Sequence, residues 1–431
     1  MKSINIGLIG FGTVGSGVVK ILSEKKSFLM QKVSVDIKIK RICDKQMQIK
    51  RDVRVDRSIF THDAKDILND PQIDIVVELI GGRHPAKEYI SEALRRGKHV
   101  VTANKALLAE DGQELFALAN DRSKNIYFEA SVGAGIPIIK SLREGLVANR
   151  FSKIFGILNG TSNFILSKMS KDCCDFSKAL KEAQLKGFAE RDPSLDVEGI
   201  DSAHKLILLT YLCFGRFVKM EDVFIEGISR ISLLDISYAK ELGFQIKLLG
   251  IANKKDRELE VRVHPTLIPH EHLLSSVDGV FNAIYISSDL AGDLIFYGPG
   301  AGQLSAASAV VADLVDLTRD IQAGLFRSTF NIVLDKTVQG LRRHDNFKSR
   351  YYIRFMGMDK PGVLARISGI LAKFNISIAS VSQKERRRAQ AVPIVMVIHE
   401  AREKDLRSAL ELIDKMDVIK EKTVAIRMEE L

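Results

Sequence analysis

The sequence predicts an α/β protein that begins with a doubly wound parallel sheet and ends with a smaller module of βαββαβ order. Three observations support this prediction. The 431 residues exceed the size of one ordinary core, so roughly two or three domains are expected. Apolar strands alternate with helical patterns in the first part of the chain, which is typical of a parallel sheet covered by helices on both faces. The tail contains a separate series of strand and helix patterns, in the order strand, helix, strand, strand, helix and strand.

The composition indicates a globular protein of a reducing compartment. Hydrophobic residues make up 46% of the chain and charged residues 27%, which is not the composition of a disordered or fibrous protein. No C-x-x-C pair occurs, so neither a disulfide framework nor a zinc site is expected from the four cysteines, Cys43, Cys173, Cys174 and Cys213. The chain enters a patterned strand at once, and no uncharged stretch reaches membrane-spanning length. We expect a soluble, cytoplasmic protein with no membrane partner and no domain ahead of the first strand.

The net charge of +10 raises the question of nucleic-acid binding. Basic residues are spread along the chain with acidic ones between them, apart from the short run Arg386, Arg387 and Arg388. No signature of a nucleic-acid-binding module accompanies them. A basic balance also suits a protein that binds anionic dinucleotides and carboxylates, so we expect no nucleic-acid partner.

The first strand, turn and helix carry a dinucleotide-binding motif. The segment "INIGLIGFGTVGSGVVKIL" is an apolar strand followed by Gly10, Gly12 and Gly15 and then by a helix with an apolar face. Gly10 permits the tight turn, Gly12 lets the backbone approach a pyrophosphate, and Gly15 allows the helix to pack closely on the strand. The N-terminus of the helix offers free N–H groups to the phosphates. This context predicts a Rossmann-type nucleotide domain.

The choice between NAD and NADP stays open. The second strand, "VDIKIKRICD", ends at Asp44, where an acid would bind the ribose hydroxyls of NAD, although Asp44 lies farther from the glycines than is usual. Basic residues surround Asp44 and would accept the 2′-phosphate of NADP; they are Arg41, Lys45, Lys50 and Arg51. The two signals conflict.

Further strands and helices extend the predicted sheet. The segments "IDIVVELIGG", "HVVTANKALLA" and "NIYFEASVGAG" are predicted as buried strands that end in turn residues, with helical stretches such as "PAKEYISEALRRG" between them. Ligands bind at the carboxyl ends of such strands, and Lys105 in "TANKALL" lies at one of them. Lys105 is therefore a candidate site residue, with an exposed lysine at the start of a helix as the alternative.

An acidic loop and a buried helix form a second candidate site. The helix "DFSKALKEAQLKG" is predicted to end at Gly187, and the loop after it reaches Gly199. The acids of the loop and of the next helix start are Glu190, Asp192, Asp196, Glu198 and Asp201. The helix "DSAHKLILLTYLCF" is apolar on nearly every face, so it should be buried.

Asp201 and Lys205 lie four residues apart on one face of that helix. The alternative is an exposed ion pair, but a pair that opens a buried helix is expected to line a cleft. A lysine in a cleft can exchange a proton with a substrate oxygen, and the loop carboxylates can hold an ammonium group. These residues predict a dehydrogenase that acts on a small amino acid or hydroxy acid.

The chain resembles the homoserine dehydrogenase family over nearly its whole length. The motifs that carry the resemblance are "GFGTVG", "TANKALLA", "EASVGAGIPII", "GILNGTSNFIL", the segment from Ala183 to Lys205, and "YGPGAGQLSAASAV". The family interconverts L-homoserine and L-aspartate 4-semialdehyde with NAD or NADP, a branch step toward threonine, methionine and isoleucine. The resemblance implies the same reaction for this chain.

The resemblance also implies the roles of the site residues. Lys205 becomes the proton donor or acceptor for the substrate oxygen, with Lys105 assisting at the same oxygen. Glu190 and Asp201 would bind homoserine, and Asp196 would support its ammonium group. The residues implied to surround the cofactor are Gly10, Phe11, Gly12, Thr13, Val14, Gly15, Lys105, Gly187, Glu190 and Gly302.

Members of the family hold a monovalent cation, typically sodium, at the segment "EASVGAG". By resemblance its ligands are the side chain of Glu129 and the backbone carbonyls of Val132, Ala134 and Ile136. Oxygen ligands with one carboxylate suit a hard, weakly charged cation, and the implied role is structural, at the hinge between domains. A glycine-rich turn without an ion is the alternative.

The resemblance implies the domain organisation. Residues 1–136 would form the nucleotide domain, and residues 137–302 an α+β substrate-binding and dimerisation domain with a mixed sheet. Residues 303–347 would form a helix, at about 303–325, that returns to the nucleotide domain, followed by a linker. We expect a homodimer or homotetramer.

Residues 348–431 resemble the ACT domain, a ferredoxin-like βαββαβ module that commonly senses amino acids. A turn is predicted between Asp359 and Gly362, before a helix whose inward residues would be Val363, Leu364, Ile367 and Leu371. The functional interpretation is feedback by L-threonine bound near Asp359 and Gly362. A dimerisation module that binds no ligand is the alternative.

Two other functions are open from the sequence. The first is another amino-acid dehydrogenase of the same fold, although the set Glu190, Asp201 and Lys205 fits homoserine. The second is a non-catalytic amino-acid sensor in which the tail is the working part. A non-catalytic sensor is expected to lack the residues that carry the chemistry, yet Lys105, Glu190, Asp201 and Lys205 are all present.

Overall fold

The structure is a computed structural model that describes residues 3–46, 51, 53–326, 335–384 and 391–429. Lys50 and the run Arg386, Arg387 and Arg388 lie outside these residues. The described residues form two compact units. The first falls within Met1–Phe151, His204–Met220 and Ile286–Lys336, and the second within Ser152–Ala203, Glu221–Tyr285 and Thr337–Leu431. The predicted boundaries after residues 136, 302 and 347 stay predictions, because units built from several segments do not correspond to contiguous domains.

The secondary structure of the described residues follows the α/β pattern. The strands are β1 Ser3–Ile9, β2 Asp36–Cys43, β3 Phe60–Thr61, β4 Ile75–Glu78, β5 His99–Thr102, β6 Ile126–Tyr127, β7 Phe151–Ile157, β8 Phe224–Ile225, β9 Phe244–Lys255, β10 Glu258–Pro269, β11 Phe281–Ser288, β12 Gly292–Pro299, β13 Gly340–Leu341, β14 Lys348–Met358, β15 Ile378–Ser382, β16 Ala391–Arg402 and β17 Val424–Met428. The helices are α1 Thr13–Glu24, α2 Lys26–Val33, α3 Lys65–Leu68, α4 Ala86–Arg95, α5 Lys105–Asp121, α6 Ile138–Lys140, α7 Gly160–Asp172, α8 Phe176–Leu185, α9 Ser194–Val197, α10 Ile200–Phe214, α11 Leu233–Glu241, α12 Gln303–Ala323, α13 Val363–Lys373 and α14 Glu403–Asp414. None of the helices in the described part of the chain has the length and hydrophobicity needed to cross a membrane.

The first unit contains a parallel sheet in the order β3–β2–β1–β4–β5–β6. The strand order reverses between β1 and β4, which marks the switch point of a doubly wound sheet. Ile6 and Leu8 of β1 are fully buried, as expected when helices cover both faces of a sheet. The predicted Rossmann-type fold is confirmed.

Two helices, rather than one, separate β1 from β2. Helix α1 ends at Glu24, and α2 follows over Lys26–Val33 before Ser34, whose φ of +55° ends the helix in a left-handed conformation. The additional helix explains why Asp44 lies so far along the chain from the glycines.

Two predicted strands are shorter than the sequence patterns indicate. In "HVVTANKALLA", β5 ends at Thr102 and α5 begins at Lys105, because the side chain of Asn104 accepts the N–H of Leu107 and caps the helix. In "NIYFEASVGAG", β6 covers only Ile126–Tyr127, and a 3₁₀ turn over Glu129–Ser131 follows.

Helix α12 packs against the nucleotide fold. Its residues Val310 and Leu314 are fully buried in the same core as Leu8 and Val18. A Cβ added to Gly17 of α1 would lie 2.9 Å from the Cβ of Ala307, so small residues allow these two helices to approach closely.

The second unit contains a mixed sheet, as predicted, in which the strands run in the order β7–β9–β10–β17–β14–β16–β15. Strands β9 and β10 pair antiparallel, whereas β17 pairs parallel with β10 at Thr266 and Leu267. Since β17 is the last strand of the C-terminal module, the sheet of that module continues the sheet that contains β10.

The tail has the predicted βαββαβ order, and its strands form an antiparallel sheet in the order β17–β14–β16–β15. Helix α13 buries Val363, Ile367 and Leu371. The prediction that Leu364 points inward is wrong, since this side chain is 41% exposed. The three buried residues recur every four positions, and Leu364 lies one residue further around the helix.

Candidate active site

The loop between β1 and α1 has the geometry that its glycines predict. Gly10 has a φ of +103°, and a Cβ there would lie 2.7 Å from the carbonyl group of Leu79. At Gly15 a Cβ would lie 2.1 Å from the carbonyl oxygen of Gly10, so the helix packs directly on the loop. At Gly12 a Cβ would meet no heavy atom within 4 Å. The loop is therefore closed on its inner side and open to a ligand at the N-terminus of α1.

The flanking residues of the loop differ in exposure. Phe11 is buried and packs edge-on against Phe60, with ring centroids 5.3 Å apart. Thr13 and Val14 form the start of α1, where Thr13 is exposed and Val14 is half-buried. Gly302, which precedes α12, is exposed and has a φ of +126°. These residues all belong to the first unit.

Asp44 and Arg51, whose side chains favour different dinucleotides, both contact this loop. The backbone N–H of Phe11 donates to Oδ2 of Asp44 at 2.6 Å, and Nε of Arg51 donates to the carbonyl oxygen of Phe11 at 2.8 Å. A carboxylate suits the ribose hydroxyls of NAD, and a guanidinium suits the 2′-phosphate of NADP. The geometry therefore supports either dinucleotide.

Lys105 is the first residue of α5 and is half-buried. The residue before it, Asn104, donates from its side chain to the carbonyl oxygen of Gly82 at 2.7 Å. Oγ1 of Thr102 accepts the N–H of Asn104 at 3.0 Å. These bonds hold the start of α5 at the carboxyl end of β5, where the sequence predicts a ligand site.

The sequence does not single out Glu78, which supports this helix start. Glu78 ends β4, is fully buried, and accepts the hydroxyl proton of Thr102 at 2.7 Å and the N–H of Ile80 at 2.9 Å. Burial raises the pKa of Glu78, and the hydrogen bonds oppose this effect. An acid at the end of a buried strand is the signal that could have identified it.

Helix α10 is buried along its length, as predicted. Asp201 is 5% exposed and Lys205 is 6% exposed, so the two do not form an exposed surface pair. His204, between them, is also buried, and its Nε2 lies 3.7 Å from Oε1 of Glu110. The burial of Lys205 agrees with the predicted cleft position, where a lysine can exchange a proton with a substrate oxygen.

The structure brings together two of the predicted acids, Asp196 and Asp201, through a residue that the sequence does not single out. The side-chain amide of Asn159 donates to Oδ1 of Asp196 at 2.6 Å and to Oδ2 of Asp201 at 2.8 Å. Asn159 lies directly before α7 in the motif "GILNGTSNFIL". Its position suggests a helix cap, and nothing local indicates its bonds to residues so far along the chain.

The start of the acidic loop is more open. Gly187 ends the preceding helix with a φ of +73°, as predicted, and is exposed. Glu190 is exposed, and its carbonyl oxygen accepts a hydrogen bond from the side chain of Gln184 at 3.2 Å. A short helix, α9, then leads to Glu198 and the start of α10.

The predicted cation segment forms a closed turn around a buried carboxylate. The two oxygens of Glu129 accept the N–H groups of Ile139 and Lys140, each at 2.8 Å. Asp313, also buried, accepts the N–H of Glu129 at 2.8 Å. Burial raises the pKa of Glu129 to about 7 despite these hydrogen bonds.

The oxygen atoms available on this turn are suitable ligands for a cation of low charge. Val132, Ala134 and Ile136 are buried on the same turn, and Glu129, Ala134 and Ile136 line a cavity of about 400 Å³. A buried carboxylate with a raised pKa gains from a nearby cation, and backbone carbonyls supply neutral oxygen ligands. Among the described residues there is no cluster of three or more His, Cys, Asp or Glu side chains that could hold a metal ion.

In the C-terminal module, the predicted turn precedes α13. Gly362 has a φ of +86°, and the residues from Asp359 to Gly362 line a cavity of about 530 Å³ together with Gln383 and Ile394. The predicted effector position therefore coincides with a cavity wall.

A Rossmann-type domain with an open glycine loop, and a buried helix that carries Asp201 and Lys205, define a class of protein. They are typical of a dehydrogenase that uses a nicotinamide dinucleotide. Known proteins identify the family. Residues 137–315 match the family Homoserine dehydrogenase, residues 10–129 match Homoserine dehydrogenase, NAD binding domain, and residues 351–417 match the ACT domain.

Relatives match over the whole length of the chain. The homoserine dehydrogenase of Neisseria gonorrhoeae is 42% identical over 434 residues, which is 100% of both chains. That of Bacillus subtilis is 40% identical over 430 residues, which is 100% of this chain and 99% of the relative. The chain belongs to the homoserine dehydrogenase family, and it is therefore an oxidoreductase that acts on a CH–OH group with NAD or NADP.

Solved structures are similar as well, as two examples show. A homoserine dehydrogenase from Thiobacillus denitrificans has a TM-score of 0.92 and 42% identity, and the match covers 100% of this chain and 99% of that one. A hyperthermophilic archaeal homoserine dehydrogenase in complex with NADPH has a TM-score of 0.63 and 28% identity, over 74% of this chain and 98% of that one. The resemblance inferred from the motifs is confirmed, including the ACT domain.

Proposed function

We propose that the chain catalyses the reversible NAD(P)-dependent interconversion of L-homoserine and L-aspartate 4-semialdehyde, in the biosynthesis of threonine, methionine and isoleucine. The observation that carries this proposal is the joining of Asp196 and Asp201 by Asn159 at the start of the helix that bears Lys205. Paired carboxylates suit the ammonium group of an amino acid, and a buried lysine suits its hydroxyl proton. Membership of the family supports the same substrates, and we propose a cytoplasmic location in line with the composition.

Each of the site residues has a separate role in the reaction. A bound nicotinamide dinucleotide would accept the hydride lost from C4 when the alcohol of homoserine is oxidised, and the hydroxyl proton must leave as the carbonyl forms. Lys205 takes this proton and returns it in the reverse direction, with Lys105 assisting at the same oxygen. Glu190 and Asp201 bind homoserine, and Asp196 supports its ammonium group.

The dinucleotide binds at the loop between β1 and α1. Open space at Gly12 and the free N–H groups of α1 support placing the pyrophosphate there. Asp44 and Arg51 make NAD and NADP both admissible. The residues proposed to surround the cofactor are Gly10, Phe11, Gly12, Thr13, Val14, Gly15, Lys105, Gly187, Glu190 and Gly302.

A monovalent cation, with sodium as the first choice, binds at Glu129 and at the carbonyl oxygens of Val132, Ala134 and Ile136. The raised pKa of the buried Glu129 carboxyl supports this site, because a cation compensates the desolvated charge. The cation would stabilise the turn and would take no part in the chemical step.

The ACT domain regulates the enzyme by binding L-threonine near Asp359 and Gly362. The cavity at this turn supports an effector site. Inhibition requires that threonine bind two states of the enzyme with unequal affinity. We also propose a homodimer or homotetramer, to be measured by light scattering.

The proposal is tested by the rate of nicotinamide reduction with L-homoserine, with NAD and NADP in parallel, in sodium and in potassium salts. Activity with one dinucleotide establishes the reaction and the cofactor preference. Addition of L-threonine then tests the regulatory role, where an unchanged rate and no binding heat would leave the ACT domain as a dimerisation module. A folded protein that is inactive with both dinucleotides would contradict the proposed substrate.

A further inference from the structure

The first turn of α7 contacts the acidic loop at both of its ends. The hydroxyl group of Thr161 donates to the carbonyl oxygen of Phe188 at 2.6 Å, near the start of the loop. Asn159 donates to Asp196 and Asp201 near its end. We propose that Asn159 is a positioning residue for substrate specificity: it holds the two carboxylates in the geometry that receives the ammonium group of the substrate. This inference rests on the proposed function.

Both polar ends of the Asn159 side chain are in use. Its Oδ1 accepts the N–H of Ser162 at 2.8 Å and the hydroxyl proton of Ser162 at 3.0 Å. Since an oxygen must face these two donors, the nitrogen must face the carboxylates, and the orientation of the amide is determined. Each carboxylate then receives one of the two amide N–H bonds.

The position of Asn159 is itself supported. The carbonyl oxygen of Leu158, the preceding residue, accepts a hydrogen bond from Asn282 at 2.9 Å. At the following residue, Gly160, a Cβ would lie 2.6 Å from the carbonyl oxygen of Val280. Asn159 therefore lies at a fixed point between β7 and α7, where a small shift is opposed on both sides.

Asp196 and Asp201 repel each other, and the amide group of Asn159, which donates to both, opposes their separation. Asn159 and Asp201 are each 5% exposed and Asp196 is half-buried, so water screens the repulsion between the two acids only from the side of Asp196. The amide bonds orient both carboxylates and add no charge. Two carboxylates oriented in this way suit an ammonium group, so the chemistry that this cluster recognises is that of an α-amino acid rather than that of a simple hydroxy acid.

The test uses two substitutions in the full chain. Asn159→Ser keeps an oxygen that can cap α7 but removes both N–H donors. Asn159→Leu fills a similar volume and leaves no room for a water molecule to replace the donors. Both variants are expected to raise KM for L-homoserine about tenfold or more, and Asn159→Leu by the larger factor. The KM for the dinucleotide should change by about twofold or less, because Asp196 and Asp201 are not among the residues proposed to surround the cofactor.

Asp175→Ala provides the matched control. Asp175 caps α8 by accepting the N–H of Lys178 at 2.8 Å, and it is outside the acidic cluster. This variant should lower Tm and leave KM for homoserine unchanged. A further variant combines Asn159→Ser with Asp201→Asn. Since Asn159 also holds Asp196, the double variant should bind homoserine worse than Asp201→Asn alone, but by less than the product of the two single effects.

Two results would overturn the proposal. One is a KM for homoserine near the wild-type value in both Asn159 variants while Tm falls as in Asp175→Ala, which would make Asn159 only a helix cap. The other is full additivity of Asn159→Ser and Asp201→Asn. Failure of the proposed function is recognised separately, because the wild-type chain would then not oxidise homoserine with either dinucleotide.

Discussion

Two buried carboxylates in this protein are held in different ways. Glu129 is bound by the backbone N–H groups of Ile139 and Lys140, which follow it closely along the chain. Asp201 is bound by the side chain of Asn159, from a segment far away in sequence. The first arrangement is built from backbone within one short motif, whereas the second is built from side chains of separate segments.

The difference determines what each site tolerates. A site made of backbone groups keeps its donors when most side chains change, but it fails when a Cβ or a shift of the chain alters the backbone path. A site made of side chains keeps its backbone under an isosteric substitution, but replacing a single side-chain atom can remove the charge or the hydrogen bond on which its function depends. We therefore expect the acidic cluster and α10 to respond most strongly to isosteric substitutions.

Lys205 offers the strongest test of this difference. Lys205→Met keeps the length of the side chain but removes the proton, so kcat should fall about a hundredfold or more while the dinucleotide still binds. The control is Lys247→Met: Lys247 is also buried, and it donates to the carbonyl oxygen of Val277 at 2.6 Å in a structural role. That variant should lose stability and keep its kcat. Near wild-type turnover of Lys205→Met, measured by nicotinamide absorbance, would contradict the assignment.

Asp201→Asn should have the next largest effect. The substitution is isosteric and removes the negative charge, so KM for L-homoserine should rise about tenfold or more while the dinucleotide KM changes little. Steady-state kinetics with each substrate varied in turn separates the two. Equal losses for both substrates would indicate a folding defect instead of a lost substrate contact.

Glu129 should respond to pH and to the cation. Its pKa is raised in the folded protein, to about 7, so its contribution to stability is present at low pH and is lost as the pH rises through that value. A bound sodium ion should restore on the order of 2 kcal/mol above this pH and little well below it, where the carboxyl is protonated in the folded protein.

Thermal unfolding in sodium chloride and in tetramethylammonium chloride, at about pH 5 and about pH 8, measures this effect. Tm should depend on sodium only at the higher pH. Glu129→Gln keeps the shape of the side chain and should abolish the dependence with little change in KM for homoserine. A sodium effect of equal size at both pH values, or in both proteins, would show that the ion acts elsewhere.

Substitutions in the glycine loop should have the smallest effect, and Gly12→Ala should change only the KM for the dinucleotide. Gly12→Ala adds a Cβ where no heavy atom lies within 4 Å, so stability should hold while the dinucleotide KM rises about threefold to tenfold. Gly15→Ala is the contrasting variant, because its Cβ would lie 2.1 Å from the carbonyl oxygen of Gly10. It should lower Tm by several degrees. If both variants behave alike, the open side of the loop is not where the dinucleotide binds.

Local patterns predicted much of the fold because their causes are local. The strand, glycine turn and helix around Gly10, the buried helix after Asp201 and the βαββαβ tail were all predictable from periodicity and turn residues. Leu364 was wrongly placed, because a run of apolar residues does not show which of them faces the sheet. The helix α2 was missed, because its residues, from Lys26 to Val33, have no clear apolar face.

The sequence by itself determined the Rossmann-type loop, the burial of α10, the ACT module and, through contiguous motifs, the family. Only the tertiary structure decided that Asn159 joins Asp196 to Asp201, that Glu78 supports the start of α5 through Thr102, and that β17 pairs with β10. The physical reason is the range of the interactions. Backbone conformation and helix periodicity depend on neighbours within a few residues, whereas a side-chain hydrogen bond or a strand pairing between distant segments exists only after the chain has folded.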